Sequence, residues 1–429
     1  CEAMMDKQTY ERYRLILERE LIPATGCTEP IALAYAAALA RDLLGGSPQR
    51  IDVFVSGSII KNAKSVTVPN TGGLKGIEAA VAAGVVIGQA DKLLEVLSAG
   101  DSGCRARIES FLSDCPIQVH LAQGDELFDI LLEFSGGGSR SRVRITGSHT
   151  NVVLLEKDGC VQFEKQPADS AQENNAPPMG IAEILEFAQT CSLEDVRPII
   201  ERQIECNAAL SQAGLTGEWG AQIGKTLLQA GWNDVLLRAR ARAAAASDAR
   251  MGGCELPAVI NSGSGNQGVT ITLPVLEYAE ALGASREQTS RALVLANLAA
   301  IRIKQEIGCL SAYCGAVCAG CAAGAGVAYL HMADRSLIEH TIVNGLAILS
   351  GTICDGAKPS CAAKIAMAVE AGILGFHMAQ SGREFVHGEG IVKKGIENTL
   401  HEVGELGREG MAETNRVILN IMLKQQEDT

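Results

Sequence analysis

The spacing of apolar and polar residues changes along the chain. Residues 5–20 have the charged amphipathic pattern of a helix, and a second helix is predicted from Thr28 to the glycine pair at 45–46. Residues 51–60 have the composition of a strand, and a Gly-rich loop then leads into a predicted helix of about 20 residues. Alternating apolar and polar positions predict further strands at residues 116–122, 128–134, 141–146 and 151–164.

A polar, proline-containing stretch at residues 167–180 separates this region from a C-terminal part with a helical pattern. Loops at residues 247–253 and 260–271 are predicted to interrupt the helices. The predicted helices of this part span residues 180–191, 193–213, 216–246, 274–283, 285–304, 309–331, 335–350, 359–372, 389–403 and 407–425.

These elements predict an α+β fold with two domains. The larger domain, residues 181–429, is expected to be all-helical, and the smaller, residues 49–166, to be an α+β domain with a mostly antiparallel sheet. Residues 1–48 are expected to form N-terminal helices that pack on the helical domain, and residues 167–180 to form the linker.

Composition favours closely packed helices and argues against two classes of partner. Aromatic residues are only 4% of the chain while glycine is abundant, so small side chains are expected at the helix contacts. A net charge of −13, without runs of Lys or Arg, argues against binding to nucleic acid or to an anionic membrane. The uncharged segment from Ile307 to Ala333 is dominated by Gly, Ala, Cys and Ser, so a buried central helix is favoured over a membrane span.

Cysteine usage bears on the cellular compartment. Fourteen cysteines in a chain of 429 residues do not resemble a small secreted disulfide scaffold. The opening residues are charged and amphipathic and contain no hydrophobic signal segment. We therefore expect a cytoplasmic protein with reduced thiols.

The cysteines concentrate in one stretch, which suggests soft metal ligands. Zinc sites usually present two close cysteine pairs, whereas this stretch contains one CxxC motif and a second pair separated by six residues. Spacing alone leaves open both a cluster held by dispersed cysteines and a set of buried inert thiols. The six cysteines are Cys309, Cys314, Cys318, Cys321, Cys354 and Cys361.

Cys27 stands immediately before the predicted helix start at Thr28. Free N–H groups at a helix N-terminus lower the pKa of a thiol, so this position favours a thiolate. A small buried cysteine at a turn would have the same local sequence.

Polar loops supply candidate substrate contacts. Asn70 and Thr71 lie in the Gly-rich loop before the third predicted helix, His149 lies in a turn between two strands, and Asn266 and Gln267 lie in the second interrupting loop. The backbone N–H groups of such loops suit anions such as a carboxylate. Each loop is also consistent with an ordinary turn or hairpin cap.

Five motifs, in chain order, resemble the L-cysteine desulfidase family, which is related to the iron–sulfur L-serine dehydratases of the alpha-chain type. The coincidence of all five is specific, whereas any one alone would be a weak signal. The motifs are ATGCTEPIALA at 24–34, KNAKSVTVPNTGGLKG at 61–76, GSGNQG at 263–268, IGCLSAYCG at 307–315 and CDGAKPSCAAK at 354–364.

The resemblance implies a [4Fe–4S] cluster in the helical domain, held by Cys314, Cys354 and Cys361. Thirty-nine and six residues separate these cysteines, and the second interval is shorter than in the serine dehydratases, which favours cysteine as substrate. Three protein ligands leave one iron open to act as a Lewis acid. The remaining cysteines of the stretch have no role in the motifs.

The implied reaction is β-elimination of L-cysteine to sulfide, ammonia and pyruvate. By the same resemblance Cys27 is the catalytic thiol, as base or as transient fourth ligand. The candidates for holding the carboxylate and amine of the substrate are Asn70, Thr71, Asn266 and Gln267, with Lys358 on the cluster loop. His149 is a further candidate from its position in a turn, and Lys358 is equally consistent with a solvent-facing turn residue. An L-serine dehydratase with the same cluster, a non-catalytic metal-binding protein and a pyridoxal-phosphate lyase remain alternatives, and a homodimer remains open.

Overall fold

A computed structural model describes residues 5–124, 126–165, 179–230, 232, 234–308 and 310–424. The predicted linker lies almost wholly outside the described residues, as does Cys309. The strands are β1 (Pro23–Thr25), β2 (Arg50–Val55), β3 (Ile117–Leu121), β4 (Asp129–Gly136), β5 (Ser139–Thr146), β6 (Val152–Lys157), β7 (Cys160–Glu164) and β8 (Pro257–Val259).

Helices make up most of the described chain, and the predicted α+β class is confirmed. Two short irregular helical turns, Ala90–Glu95 and Leu406–Gly410, accompany the α-helices. The α-helices are α1 (Lys7–Glu20), α2 (Thr28–Leu44), α3 (Gly57–Ala63), α4 (Ile77–Ile87), α5 (Cys104–Asp114), α6 (Ile181–Thr190), α7 (Leu193–Thr216), α8 (Ile223–Ala230), α9 (Val235–Met251), α10 (Gly265–Leu282), α11 (Arg286–Ile307), α12 (Gly315–Leu330), α13 (Arg335–Leu349), α14 (Cys361–Gln380), α15 (Ile396–Glu405) and α16 (Ala412–Lys424).

The main sheet has six strands in the order β3-β2-β4-β5-β6-β7. Strands β2 and β3 pair in parallel, because the chain between them crosses over through α3, α4 and α5. The other neighbours pair antiparallel, so the predicted mostly antiparallel sheet is present. Alternate residues of β2, namely Ile51, Val53 and Val55, are fully buried on one face of the sheet.

Two hydrophobic cores organise the molecule. One lies between the six-stranded sheet and helices α2 and α4. The other lies within the bundle that includes α1 and α6 to α15, where α12 and α14 pack closely at the centre. Helix α16 returns to the smaller unit and packs on α3.

The N-terminal helices divide between these cores, which corrects the expected grouping of residues 1–48. Tyr13 and Leu17 of α1 are fully buried in the helical bundle, where the Tyr13 hydroxyl donates to Glu183 Oε2 at 2.8 Å. Helix α2 instead packs on the sheet and on α4, because its alanine-rich surface is buried on almost every side.

Several element boundaries differ from those predicted. The predicted strand at 51–60 ends at Val55, because Ser56 begins α3. The predicted helix at 216–246 is two helices, and the second, α9, continues through the predicted loop at 247–253 as far as Met251. Helix α10 begins at Gly265, inside the predicted loop at 260–271, and runs through Pro274.

Helix α12 and helix α14 are the centre of the bundle. Nearly every side chain of α12 is buried, as expected of a central helix rich in small residues. Among the described helices, α14 is long and apolar enough to cross a membrane by length and composition, but 56% of that segment is buried in the molecule. A core helix with such packing accounts for this composition.

Glycine allows the close approach of α12 and α14. A Cβ atom placed on Gly372 of α14 would lie 1.9 Å from the carbonyl oxygen of Gly320 of α12. We expect Gly372→Ala to lower the free energy of unfolding by about 1–3 kcal/mol, because the two backbones would have to separate. Gly46→Ala is the control, since a Cβ there meets no atom within 4 Å. Equal chemical-denaturation midpoints for the two variants would contradict this account.

Candidate functional site

A cavity of about 130 Å³ lies where the smaller unit meets the helical bundle. Asn62 and His149 reach it from the smaller unit, and Arg250 and Lys304 reach it from the bundle. Cys27, Cys314, Cys354 and Cys361 all line it. The fold therefore brings Cys27 to three cysteines that lie more than 280 residues further along the chain.

Four of the described helices begin at this cavity. The N-terminal residues of α2, α10, α12 and α14 contribute to its wall. None of these N-termini has a hydrogen bond from its capping side chain. At α14 the N–H groups of Cys361 and Ala362 already donate to the carbonyls of Lys358 and Pro359. The aligned dipoles of all four helices still make the cavity favourable for anions such as thiolates and carboxylates.

Backbone hydrogen bonds join the segments that carry Cys314 and Cys354. The Cys314 N–H donates to the carbonyl of Thr352 at 3.0 Å, and the Cys354 N–H donates to the carbonyl of Ala312 at 2.6 Å. Cys361 is the first residue of α14, and its thiol lies 3.6 Å from the carbonyl oxygen of Gly356. Two distant parts of the sequence thus form one cysteine-bearing wall.

The three thiols differ in protonation. A hydrogen bond from Cys314 lowers the pKa of Cys354 to about 5 against the effect of burial, and the charges of Lys61 and Lys304 contribute. The same hydrogen bond and burial raise the pKa of Cys314 well above its ordinary value. Burial raises the pKa of Cys361. A metal at these thiols would have to displace the protons of Cys314 and Cys361.

The donor set fits an iron–sulfur cluster better than a single metal ion. Within the described ranges, no three Cys, His, Asp or Glu side chains are grouped closely enough to hold one ion. A four-iron cluster is larger and separates its thiolate ligands more widely than a single ion does. Three soft thiols on one cavity wall, with helix N-termini and the cations of Lys61 and Lys304 nearby, suit an anionic cluster.

Lys61 is a buried cation behind the cysteine wall, at 1% exposure. Its Nζ donates to the carbonyl of Cys354 at 3.2 Å and to Asn415 Oδ1 at 2.7 Å. Burial lowers the pKa of this ammonium. Lys61 therefore ties α3, the Cys354 loop and α16 together.

Cys27 caps the start of α2 and is buried. Its thiol donates to Glu29 Oε2 at 3.1 Å. Burial, together with the negative charge of Glu29, raises the pKa of Cys27 well above its ordinary value, although Arg250 acts in the opposite direction. The expected thiolate is therefore wrong for this arrangement, because these effects outweigh the helix N-terminus.

Glu29 is a buried carboxylate at the centre of a polar group. Burial alone would raise its pKa, but His149 and the thiol of Cys27 lower it to about 2. Glu29 Oε1 accepts a hydrogen bond from Asn62 Nδ2 at 3.0 Å, and His149 Nε2 lies 3.9 Å from the same oxygen. His149 Nε2 has no hydrogen-bond partner among the described residues.

Arg250 is buried at 2% exposure beside the segment that carries Cys27. Its Nη1 donates to Asn266 Oδ1, and its Nη2 donates to the carbonyl of Gly26. Its Nε, and Oε1 of Gln267 nearby on α10, lack hydrogen-bond partners in the described chain. Of the candidate substrate contacts, His149, Asn266 and Gln267 line the cavity.

Asn70, Thr71 and Lys358 do not line the cavity. Asn70 Nδ2 donates to the carbonyl of Leu97, and the Thr71 hydroxyl donates to the carbonyl of Val68, so both stabilise a buried turn. Lys358 pairs with Asp355 on its own loop. Substrate contact by these three residues stays a prediction without geometric support.

Sequence reasoning missed four charged residues at or behind the cavity. Glu29 and Lys61 lie inside motifs that had been read for their cysteine or their glycines. Arg250 falls in a segment predicted to be a loop, and Lys304 near the end of α11. A charged residue within a predominantly apolar segment is a usable signal, because such a group is buried only with a partner or a role.

Comparison with known proteins gives a consistent result. Residues 89–420 match the sequence profile of the serine dehydratase alpha chain. The chain is 50% identical over 418 residues to a UPF0597 protein of Desulfitobacterium hafniense (strain Y51), covering 97% of each chain. It is 42% identical over 429 residues to a UPF0597 protein of Treponema denticola, covering 98% of this chain and 99% of the relative.

The profile match confirms the resemblance inferred from the five motifs. The matched family is typically associated with iron–sulfur clusters and indicates an amino-acid lyase in general. The relatives' names state no specific activity. On the extent of the profile match, the chain belongs to the serine dehydratase alpha chain family.

Proposed function

We propose that this protein is a [4Fe–4S]-dependent β-elimination lyase that converts L-cysteine and water to sulfide, ammonia and pyruvate. The observation that carries the proposal is the shared cavity of Cys27, Cys314, Cys354 and Cys361 at four helix N-termini. A cytoplasmic location fits the oxygen sensitivity of a cluster that lacks a fourth protein ligand.

Cys314, Cys354 and Cys361 would hold the cluster. When bound through three protein thiolates, it supplies an iron with an open coordination position, and such a Lewis acid makes sulfide a better leaving group. Lys61 and Lys304 would offset the negative charge of the cluster and its thiolates.

The chain's own groups would direct the proton and the substrate. After its thiol has lost its own proton, Cys27 takes the proton from Cα, the electron pair of that bond forms the Cα–Cβ double bond, and the Cβ–S bond breaks with the sulfur leaving as sulfide. The released aminoacrylate tautomerises to an imine, which water hydrolyses to pyruvate and ammonia. Asn266 and Gln267 are placed to orient the substrate, since both line the cavity. Burial of Cys27 keeps bulk water from competing for the proton.

L-serine dehydration is the second candidate, because the matched profile is that of the serine dehydratase alpha chain. The same residues would serve, with water as the leaving group. The short interval between Cys354 and Cys361 is the sequence feature that favours cysteine.

Anaerobic reconstitution with iron and sulfide, followed by assays of pyruvate and sulfide, tests the proposal. We expect pyruvate from L-cysteine with equimolar sulfide, and a lower kcat/KM for L-serine. A higher kcat/KM for L-serine would identify the dehydratase. Inactivity on both amino acids with an intact cluster would contradict the lyase, and stoichiometric zinc in place of iron would favour a non-catalytic metal-binding protein.

A further inference from the structure

We propose that Glu29 and Arg250 form a zwitterion site, in which Glu29 receives the α-ammonium group of the substrate and Arg250 receives its α-carboxylate. The inference rests on the proposed function and deepens it by naming the residues that hold the two charged groups of the amino-acid substrate. Neither residue was expected to bind substrate from the sequence. Glu29 contacts the Cys27 thiol and Arg250 contacts the carbonyl of Gly26, so together they would set the position of the reacting carbon beside Cys27.

The first argument is the charge of the cavity. Glu29 is ionised and buried, and no Lys or Arg pairs with it among the described residues. Arg250 is buried too, and its described hydrogen bonds go to an amide and a backbone carbonyl, with no carboxylate partner. His149 Nε2 lies 3.9 Å from Glu29 Oε1, and the charge of Glu29 acts on Arg250 without a direct ion pair between them. Buried charges that lack a direct hydrogen-bonded counter-charge are costly. A zwitterion supplies one counter-charge to each.

The second argument is unused hydrogen-bonding capacity. Arg250 Nε is buried and has no hydrogen-bond partner in the described chain. Nη1 and Nη2 of the same side chain donate to Asn266 Oδ1 and to the carbonyl of Gly26. The guanidinium lies against the start of α10, where a Cβ on Gly265 would come within 2.5 Å of its Cζ. A carboxylate at this point would meet both the guanidinium and the free N–H groups of a helix N-terminus.

The third argument is the contact of both charged residues with the segment that carries Cys27. Glu29 Oε2 accepts a hydrogen bond from the Cys27 thiol at 3.1 Å. Arg250 Nη2 donates to the carbonyl of Gly26, the residue before Cys27. The Cα atom of an amino acid lies between its ammonium and its carboxylate. A substrate whose charged groups reach Glu29 and Arg250 would therefore present Cα to the Cys27 thiol, where its proton must be taken.

Lys304 is the rival for the carboxylate, since it also lines the cavity. Arg250 is favoured because its Nη2 donates to the carbonyl of Gly26, the residue before Cys27. This contact makes Arg250 the cation tied to the segment that carries the thiol that takes the proton.

Binding of non-reacting probes to the anaerobic, cluster-loaded protein tests the site by calorimetry. L-Alanine carries both charged groups and has no leaving group, propionate lacks the ammonium, and ethylamine lacks the carboxylate. We expect wild-type protein to bind L-alanine at least about 30-fold more tightly than either fragment, because each charged pair is buried. A wild-type protein that binds a fragment as tightly as L-alanine would overturn the proposal without any variant.

The variants separate the two halves of the site. Arg250→Met should weaken L-alanine at least about 30-fold and remove its advantage over ethylamine, while its advantage over propionate persists. Glu29→Gln should give the reverse pattern. If Arg250→Met does not fold, Arg250→Lys should weaken L-alanine yet keep its advantage over ethylamine, because a cation remains. The assignment would be overturned if either variant lost the advantage of L-alanine over both fragments, or over neither. It would also be overturned if Lys304→Gln lost the advantage of L-alanine over ethylamine while Arg250→Met kept it.

Two variants control for the removal of a buried charge elsewhere. Arg302 is 3% exposed and pairs with Glu306 and Glu397, and Glu277 is 5% exposed and pairs with Arg242. Arg302→Met and Glu277→Gln should bind all three probes as wild type does. L-Alanine selectivity without turnover of L-cysteine or L-serine would contradict the lyase alone, whereas turnover without such selectivity would contradict the zwitterion site alone.

Discussion

Cys27→Ala is expected to reduce turnover of L-cysteine at least about 100-fold while the protein keeps its full iron and sulfide content. The magnitude is the usual contribution of a general base. Cluster content should not change, because the implied ligands Cys314, Cys354 and Cys361 remain. Iron and acid-labile sulfide analysis of the same sample used for the pyruvate assay measures both effects.

Cys254→Ala is the matched control, since Cys254 is also a buried thiol whose pKa is raised by burial, yet it does not line the cavity. It should retain both turnover and iron. Normal turnover by Cys27→Ala would remove Cys27 from the mechanism. Loss of iron from Cys27→Ala would instead indicate that Cys27 is a lasting cluster ligand.

The protonation of Cys27 makes its role testable by pH. Burial and the charge of Glu29 raise the pKa of the thiol, so it is protonated at neutral pH in the free protein. Because a base must first lose that proton, kcat/KM should rise with pH through the alkaline range. A substrate ammonium at Glu29 would offset the charge that helps to hold the proton. The rise in kcat should then occur at lower pH than the rise in kcat/KM, and Cys27→Ala should show neither.

Local patterns in the sequence are sufficient to predict the fold class, but they are not sufficient to predict which residues line the cavity. The alternation in β2 and the amphipathic period of α1 identify their elements, because a half-buried strand or helix has a polar side. The composition of the segment SDARMGG predicts a loop, whereas α9 continues through Arg250. That turn of helix is stabilised by buried contacts such as Arg250 with Gly26, which no local pattern contains.

The candidate site shows the same difference between what local sequence predicts and what only tertiary contacts decide. The resemblance selected Cys314, Cys354 and Cys361 from motifs, and the fold assembles them through backbone pairing beside Tyr313. The charges of Glu29 and Arg250 have meaning only once burial is known, because an exposed carboxylate or guanidinium needs no partner. The expectation for Cys27 was wrong for this reason, since the helix N-terminus was visible in the sequence and the burial was not.

Cys354→Ala has the largest expected effect on the cluster. Cys354 is the cysteine on which Lys61, Lys304 and the hydrogen bond from Cys314 act together, so it is the thiol best stabilised as a thiolate. Its loss should lower iron content to background and turnover at least about 100-fold, since even removal of a group that supports a ligand weakens metal binding by 10- to 100-fold. Iron analysis and the absorbance of iron–sulfur thiolate bonds after anaerobic reconstitution measure the loss.

Cys318→Ala is the control that shows whether the CxxC pair or the cysteines that line the cavity bind the cluster. Cys318 belongs to the CxxC pair that most resembles a metal site, but it is fully buried within α12 and does not line the cavity. It should keep its iron and its turnover, with at most a loss of stability from the missing buried sulfur. Iron lost from Cys318→Ala and retained by Cys354→Ala would place the ligands on the CxxC pair and would remove the cluster from the cavity that Cys27 lines. Because the two variants each delete one sulfur atom, a difference in iron between them reports ligation and not the loss of a thiol in general.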